Sequence, residues 1–269
     1  MSAPIRILLS FLGTLAVPCL VVLIIGICFR FFGKKKAWPA VGFFVKTSLF
    51  AAAQTVGITF GICLIFYGTG FFENAFFRPS KRDYGELEKL QVAAEAVTFD
   101  SLDGTKLQGY FLSGGEQPWG TVVHFHGSDR NSTYTIRHVG WLASEGLNVF
   151  AFDYRGYGQS EGQPSHAKVV EDGVAALRYV GDRSDVDRDK LFVWGQSMGG
   201  QLGIVAAAAD DVPVVRAVVS EATYSLHSLH IADKLSQMGP LWLIQWGAWA
   251  LTGDAHAALH HVGQLHDQT

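Results

Sequence analysis

The sequence predicts an α/β fold, a doubly wound and mostly parallel sheet preceded by two transmembrane helices. Three observations carry that expectation. From residue 94 onward, short apolar runs alternate with helix-period segments, the pattern of parallel strands joined by crossover helices. Before them stand two uncharged runs, Ile7 to Phe29 and Thr47 to Phe72, of 23 and 26 residues. Each exceeds the roughly 20 apolar residues that cross a bilayer as a helix. The third observation is a strand-like run, Leu191 to Trp194, that ends on one serine among glycines and continues from Gln201 to Ala209 as a helix.

The uncharged runs come first in the chain. A cleaved signal peptide has an apolar core of about 7 to 15 residues; the first run is far longer, and no cleavage site follows it. Pro18 stands where a lipoprotein signal ending at Cys19 needs a small residue. Between the two spans lie Arg30, Lys34, Lys35, Lys36 and Lys46, and a short basic loop stays on the cytoplasmic side. This orientation places everything after Phe72 outside, in the cytoplasmic membrane of a bacterium, although Arg78, Lys81, Arg82 and Lys89 count against it. Phe71, Phe72, Phe76 and Phe77 suit the membrane interface. Gly57 and Gly61 form a small-xxx-small step on the second span. The chain thus reads as an anchor (1–72), an interfacial linker (73–93) and an α/β domain (94–269).

Composition narrows the function classes. Hydrophobic residues make up 49% and charged residues 17%, so a plain soluble protein is not the first expectation. A net charge of -3 leaves no electrostatic footprint for nucleic acid. Cys19, Cys28 and Cys63 all fall in apolar runs of the first quarter, so no disulfide framework or cysteine metal site holds the domain together.

Within the domain, Val97 to Asp100 and Lys106 to Leu112 form a hairpin through Asp103-Gly104. Thr121 to Phe125 is a third strand, ending at His126-Gly127-Ser128, and Leu147 to Asp153 a fourth, ending in Tyr154-Arg155-Gly156-Tyr157-Gly158-Gln159-Ser160. Helices are expected around Ile136 to Glu145 and Lys168 to Val180, and Ala217 to Glu221 makes a sixth strand after the Lys190 to Trp194 run. After it, Trp242, Trp246 and Trp249 recur at i, i+4 and i+7, one face of a helix.

Gly195-Gln196-Ser197-Met198-Gly199, with a strand before it and a helix after it, resembles the nucleophile elbow of the α/β-hydrolase superfamily, in its serine aminopeptidase and monoacylglycerol-lipase-like branch. The resemblance covers roughly Ala94 to Leu235. It implies hydrolysis of an ester, thioester or amide through an acyl-serine intermediate, with no cofactor and no metal. Ser197 would be the nucleophile, and the backbone N–H groups of Met198 and Ser128 the oxyanion donors, with Gly127 letting backbone approach the substrate. His126 precedes the nucleophile, against the family order of serine, acid, histidine, and reads as a shaper of the oxyanion loop. His124 reads as packing, and Arg155 as an internal salt-bridge residue.

The family's acid and base follow a seventh and an eighth strand, and only 48 residues follow Glu221. Three readings of that gap stand side by side. The sequence is a fragment that ends before the last two strands; or its tail supplies substitutes, Glu221 or Asp254 as acid and His256, His260, His261 or His266 as base; or catalysis is lost and the protein is a membrane-bound binding or scaffold module. His256, His260 and His261 as a metal site lack the helical zinc pattern and read as a solvated helix end. Trp242 and Trp246 are candidates to meet an acyl chain or the lipid surface, or equally a core face. The expected partners are a small-molecule or acyl/lipid substrate and membrane lipid; the oligomeric state is left open.

Overall fold

The computed structural model describes residues 77–237 and 257–266 without a break, together with Ala248, Asp254 and helical positions scattered between 20 and 65. Two compact units divide the chain: residues 1–72 with 227–253, and residues 73–226 with 254–269. In chain order the elements are β1 (Ala94–Asp100), β2 (Lys106–Leu112), β3 (Thr121–Phe125), β4 (Asn148–Phe152), α1 (His166–Gly181), β5 (Leu191–Gln196), α2 (Met198–Ala207), β6 (Val215–Glu221), α3 (His227–Ser236) and α4 (Ala258–His266). All but α3 belong to the second unit.

That unit is built on one six-stranded sheet in the order β1-β2-β4-β3-β5-β6. β2 runs antiparallel to β1 and to β4, while β4, β3, β5 and β6 are mutually parallel. Every residue of β3 and β4 is buried, as a strand covered on both faces requires. Alternation sorts their side chains. Val123, Phe125, Phe150 and Phe152 pack on one face with Val174, Leu177 and Leu202 of α1 and α2; Val122, Val149 and Ala151 pack on the other with Ile136, Val139 and Leu142. Each such Leu, Val or Phe contributes roughly 1.5–3 kcal/mol by leaving water. β6 closes one edge, where Val219 is 48% exposed, and among the described residues no strand follows it.

Two expectations change. The helix foreseen over Ile136 to Glu145 is instead one helical turn, Ser132–Thr135, and two 3₁₀ turns, Ile136–His138 and Gly140–Ala143. β-Branched Thr133, Thr135, Ile136 and Val139 weaken a helix there. Gly140 then presses against Leu90, where a Cβ would overlap the leucine side chain. Phe77, foreseen at the membrane interface, is 8% exposed and belongs to the core of the sheet domain. It opens a segment that is tied to that domain. Arg78–Pro79 pairs in parallel with Asp129–Arg130, Lys81 Nζ donates to Ser160 O (2.6 Å), and Tyr84 N–H donates to Thr133 Oγ1 (3.1 Å).

In the other unit, α3 buries Ile231, Ala232 and Leu235 along one face. Among the described residues no helix is long and apolar enough to cross a membrane. The spans expected at 7–29 and 47–72 lie largely outside the described residues, as do Phe71, Phe72, Phe76, the three cysteines, Trp242, Trp246, Trp249 and His256. The described positions inside those spans are helical, and Leu20, Leu23, Ile24, Ile27, Phe50 and Ile58 are exposed. A Cβ on Gly57 or Gly61 would meet nothing within 4 Å, so the small-xxx-small step seats no neighbour among the described residues.

Candidate active site

β5 ends at Gln196 and α2 begins at Met198, so Ser197 alone makes the turn from strand to helix, at φ 53 and ψ -119. A non-glycine residue in that region is strained and persists only where its surroundings fix it. The fixing bonds are short. Ser197 N–H donates to Glu221 O (2.8 Å), and Ser197 O accepts from Thr223 Oγ1 (2.7 Å) and Gly200 N–H (3.1 Å). The flanking glycines complete the turn by allowing close approach. A Cβ on Gly199 would overlap the carbonyl of Phe125, and one on Gly195 would overlap the carbonyl of Gly199. Glycine is therefore required at both positions by packing.

The serine opens on a cleft of about 190 Å³, with Gln196 and Ser197 on one side and Gly127 to Arg130, Tyr134 and Thr135 on the other. Met198 is the first residue of α2, so its N–H has no acceptor within the helix. Neither that amide nor the amide of Ser128 donates to a described residue. Both are free for an oxygen bearing negative charge, and the positive end of the α2 dipole favours one at that end of the helix. A Cβ on Gly127 would stand 3.5 Å from Gln196 O and 3.7 Å from Ser197 Cβ. Those are ordinary contacts, so the protein's own packing does not demand glycine there; a side chain would instead stand over Ser197.

The loop after β3 is held from three directions. Ser128 O accepts from Tyr157 Oη (2.8 Å) and Arg78 N–H (2.9 Å), and Tyr154 Oη donates to His126 O (3.2 Å). Asp153, at the end of β4, caps the helical turn that follows: Oδ1 accepts from Ser132 N–H (2.6 Å) and Oδ2 from Ser132 Oγ (2.9 Å). The same turn sequence carries Arg155, whose guanidinium is nearly buried and pairs with Asp172 (2.7 Å) and Asp103 (2.9 Å). Asp172 also accepts from Arg155 N–H and Ser101 Oγ, so this buried charge is fully paired.

His126 is fully buried, with Nδ1 2.7 Å from Gly127 O. That bond assigns the proton to Nδ1. Nε2 then lies 3.7 Å from Asp153 Oδ1, beyond hydrogen-bond reach, with no partner of its own among the described residues. Burial pulls the His126 pKa down to about 3, partly offset by the Gly127 carbonyl, so the contact with Asp153 is not an ion pair. Burial raises Asp153 to about 6 against the two Ser132 bonds, and lowers His124 to about 4 against its bond to Trp194 O.

The structure brings together Ser197, the Met198 amide and the Gly127-Ser128 turn. It brings Glu221 to Ser197 through the backbone only: the Glu221 side chain is exposed, its carboxylate 3.5 Å from Trp194 Nε1. His260 and His261 lie on α4, which packs against α2. His261 Nδ1 is 3.1 Å from Gln264 Oε1. Among the described residues no side chain hydrogen-bonds to Ser197 Oγ, and no cluster of metal-ligating side chains forms. Trp242, Trp246 and His256 are outside the described residues.

The family described as "Serine aminopeptidase, S33" matches residues 116–255, just over half of the chain. The chain belongs to that family. The serine aminopeptidase family segment thus runs from before β3 through the elbow and past β6. Similar curated proteins include "Uncharacterized protein YfhR" of Escherichia coli (strain K12), 36% identical over 159 residues, covering 58% of this chain and 55% of that one. "Protein bem46" of Schizosaccharomyces pombe is 28% identical over 185 residues, covering 67% and 61%. The chain spans about half the length of these curated relatives, such as YfhR. Among solved structures, an alpha-beta hydrolase from Vibrio vulnificus has a TM-score of 0.60 at 20% identity, covering 73% of this chain and 72% of that one. The Pyrococcus furiosus esterase Pf2001 has 0.54 at 19%, covering 70% and 71%. These establish the α/β-hydrolase fold.

In this serine aminopeptidase family member, Tyr157, Thr223, Arg78 and Arg130 also shape the cleft without belonging to any motif. Tyr157 and Thr223 fix the two halves of the cleft, and their signal is faint: each is a single hydroxyl inside a turn. Arg78 acts through its backbone N–H, which no side-chain pattern reports.

Proposed function

We propose that the protein is a membrane-anchored serine hydrolase that cleaves an ester, thioester or amide, with an acyl or lipid substrate favoured, through an acyl-serine intermediate. The observation that carries this is Ser197, held at φ 53 on a turn closed by Gly195 and Gly199 and facing the cleft that Ser128 also lines. Ser197 is the nucleophile, Met198 and Ser128 donate their amides to the oxyanion, and no cofactor enters. Gly127 keeps the space above the serine open for the acyl group. The Pyrococcus furiosus esterase Pf2001, which shares the fold, supports this class. In this reading, purified chain hydrolyses long-chain nitrophenyl esters in a detergent-sensitive way, and Ser197→Ala abolishes the activity. Turnover that survives Ser197→Ala, or a preference for short soluble esters, contradicts the nucleophile or the lipid substrate respectively.

One observation favours a second reading, a hydrolase-fold binding or scaffold module without turnover: no described side chain bonds Ser197 Oγ. Failure of a folded chain to hydrolyse any ester selects it. In the first reading, the base comes from the residues after Glu221, with Glu221 or Asp254 as acid and His260, His261, His266 or His256 as base, and Trp242 and Trp246 line the acyl side.

Anchoring rests on the uncharged runs 7–29 and 47–72 and on the exposed apolar side chains at their described helical positions. The basic loop between them puts the hydrolase domain outside the cytoplasm. Alkaline extraction then leaves the chain in the membrane pellet, and protease added to spheroplasts digests the domain. Release by alkali, or protection from protease, contradicts the anchor or the orientation.

A further inference from the structure

Among the residues lining the cleft, Arg130 carries the one fixed positive charge. Its backbone lies at φ 69, a conformation that glycine adopts without strain and arginine does not. Pairing of Pro79 with Arg130 in the short parallel strands pins the residue in place. Its guanidinium stacks on the ring of Tyr134, 3.8 Å from the centroid, and that ring also lines the cleft. Arg137 stacks on Tyr134 as well (4.0 Å) and donates to its hydroxyl.

Thus a strained backbone and the Tyr134 ring together hold a planar fork at the cleft that Ser197 also lines. The nearest carboxylate is Asp129, with Oδ2 3.5 Å from Arg130 Nε. That pair is solvent-exposed, so water screens it and it binds the guanidinium weakly. The two terminal nitrogens of Arg130 donate to no described residue.

We infer that Arg130 reads a carboxylate or phosphate group carried by the substrate, making Arg130 the specificity-determining residue of the cleft for an anionic ester. A guanidinium fork matches either oxyanion with two parallel N–H···O bonds, which a lysine cannot make. The inference rests on Ser197 as the reacting group, and its test separates the two. In the full Ser197→Ala chain, which has no nucleophile, calorimetry measures binding of nitrophenyl butyrate, the nitrophenyl monoester of glutaric acid, and a monobutyryl glycerol phosphate. Fluorophosphonate labelling of the wild-type chain, run beside it, reports on the hydrolase reading alone.

The expected result is about tenfold tighter binding of an anionic ester than of the neutral one, a span set by one good charge-assisted pair. The tighter of the two anions tells a carboxylate tail from a phosphate headgroup. Adding Arg130→Gln brings the ratio close to one, Arg130→Lys keeps part of it, and Arg130→Gly matches Arg130→Gln without the backbone strain. Equal binding of all three esters, or a preference that survives Arg130→Gln and Arg130→Gly, overturns the inference. A preference in a chain whose Ser197 is never labelled sustains the role of Arg130 and removes the hydrolase reading.

Discussion

The two sides of the elbow differ in how they are held. Upstream of Ser197, β3 and β4 are buried on both faces, and the loop that carries Ser128 is fixed by Tyr157, Arg78 and Asp153. Downstream, β6 is an edge strand, Glu221 meets Ser197 only through its carbonyl, and α4 leaves His260 exposed. The side of the cleft that carries Ser128 is therefore held by interior hydrogen bonds, while the side that follows Ser197 ends in exposed groups. Substitutions on the two sides accordingly have unequal consequences.

The largest effect belongs to the upstream network. Arg155→Ala leaves Asp172 as a buried charge without its partner, and removing one member of such a pair costs about 3–5 kcal/mol. A urea unfolding curve reads this as a large drop in midpoint; a shift no bigger than that of a surface variant would place Asp172 in contact with water.

pH acts on the same side. His126 and His124 have folded pKa values lowered to about 3 and about 4, so the unfolded chain binds their protons first and stability falls as pH drops below about 6.5. Asp153, raised to about 6, works the other way, adding stability as pH falls through that value. Two imidazoles outweigh one carboxyl group, for a net loss on the order of 3 kcal/mol between pH 7 and 4.5. Unfolding midpoints that hold steady or rise over this range would contradict the burial of the two histidines.

Tyr157→Phe is milder. It removes the hydroxyl that holds Ser128 O and leaves the Arg78 bond in place, costing about 1 kcal/mol. In an active chain the rate constant falls with little change in KM, because the oxyanion donor loosens while the acyl side is untouched. A change confined to KM would assign Tyr157 to substrate binding.

Much of the upstream side was legible in the sequence. The strands Lys106–Leu112 and Thr121–Phe125 have the bounds that alternation and turn residues predict: the first alternates buried with more exposed positions, and the second is buried throughout. Ser197 was legible because the turn demands glycine at fixed offsets. The segment from Phe77 to Leu90 was not. Its attachment is made of backbone pairing at Arg78–Pro79 and single hydroxyl bonds, which leave no periodicity. The helix expected around Ile136 to Glu145 breaks into 3₁₀ turns at Gly140, whose contact with Leu90 comes from tertiary structure and leaves no mark in the sequence. No acid or base was legible, because no motif after Glu221 fixes an offset for one.

The smallest effect is expected on the downstream side. His260 is exposed on α4, and His260→Ala changes stability by no more than about 0.5 kcal/mol. A loss of activity without a loss of stability would single it out as the base, the result that most sharpens the contrast between the two sides.

The most direct measurement is fluorophosphonate labelling of the 269-residue chain in membranes, beside Ser197→Ala. Such a probe reacts with a serine that a base has activated. Labelling of the wild-type chain that vanishes in Ser197→Ala is the predicted result, and it means that the tail completes the site. A folded wild-type chain that takes no label, or a label that persists in Ser197→Ala, contradicts Ser197 as an activated nucleophile.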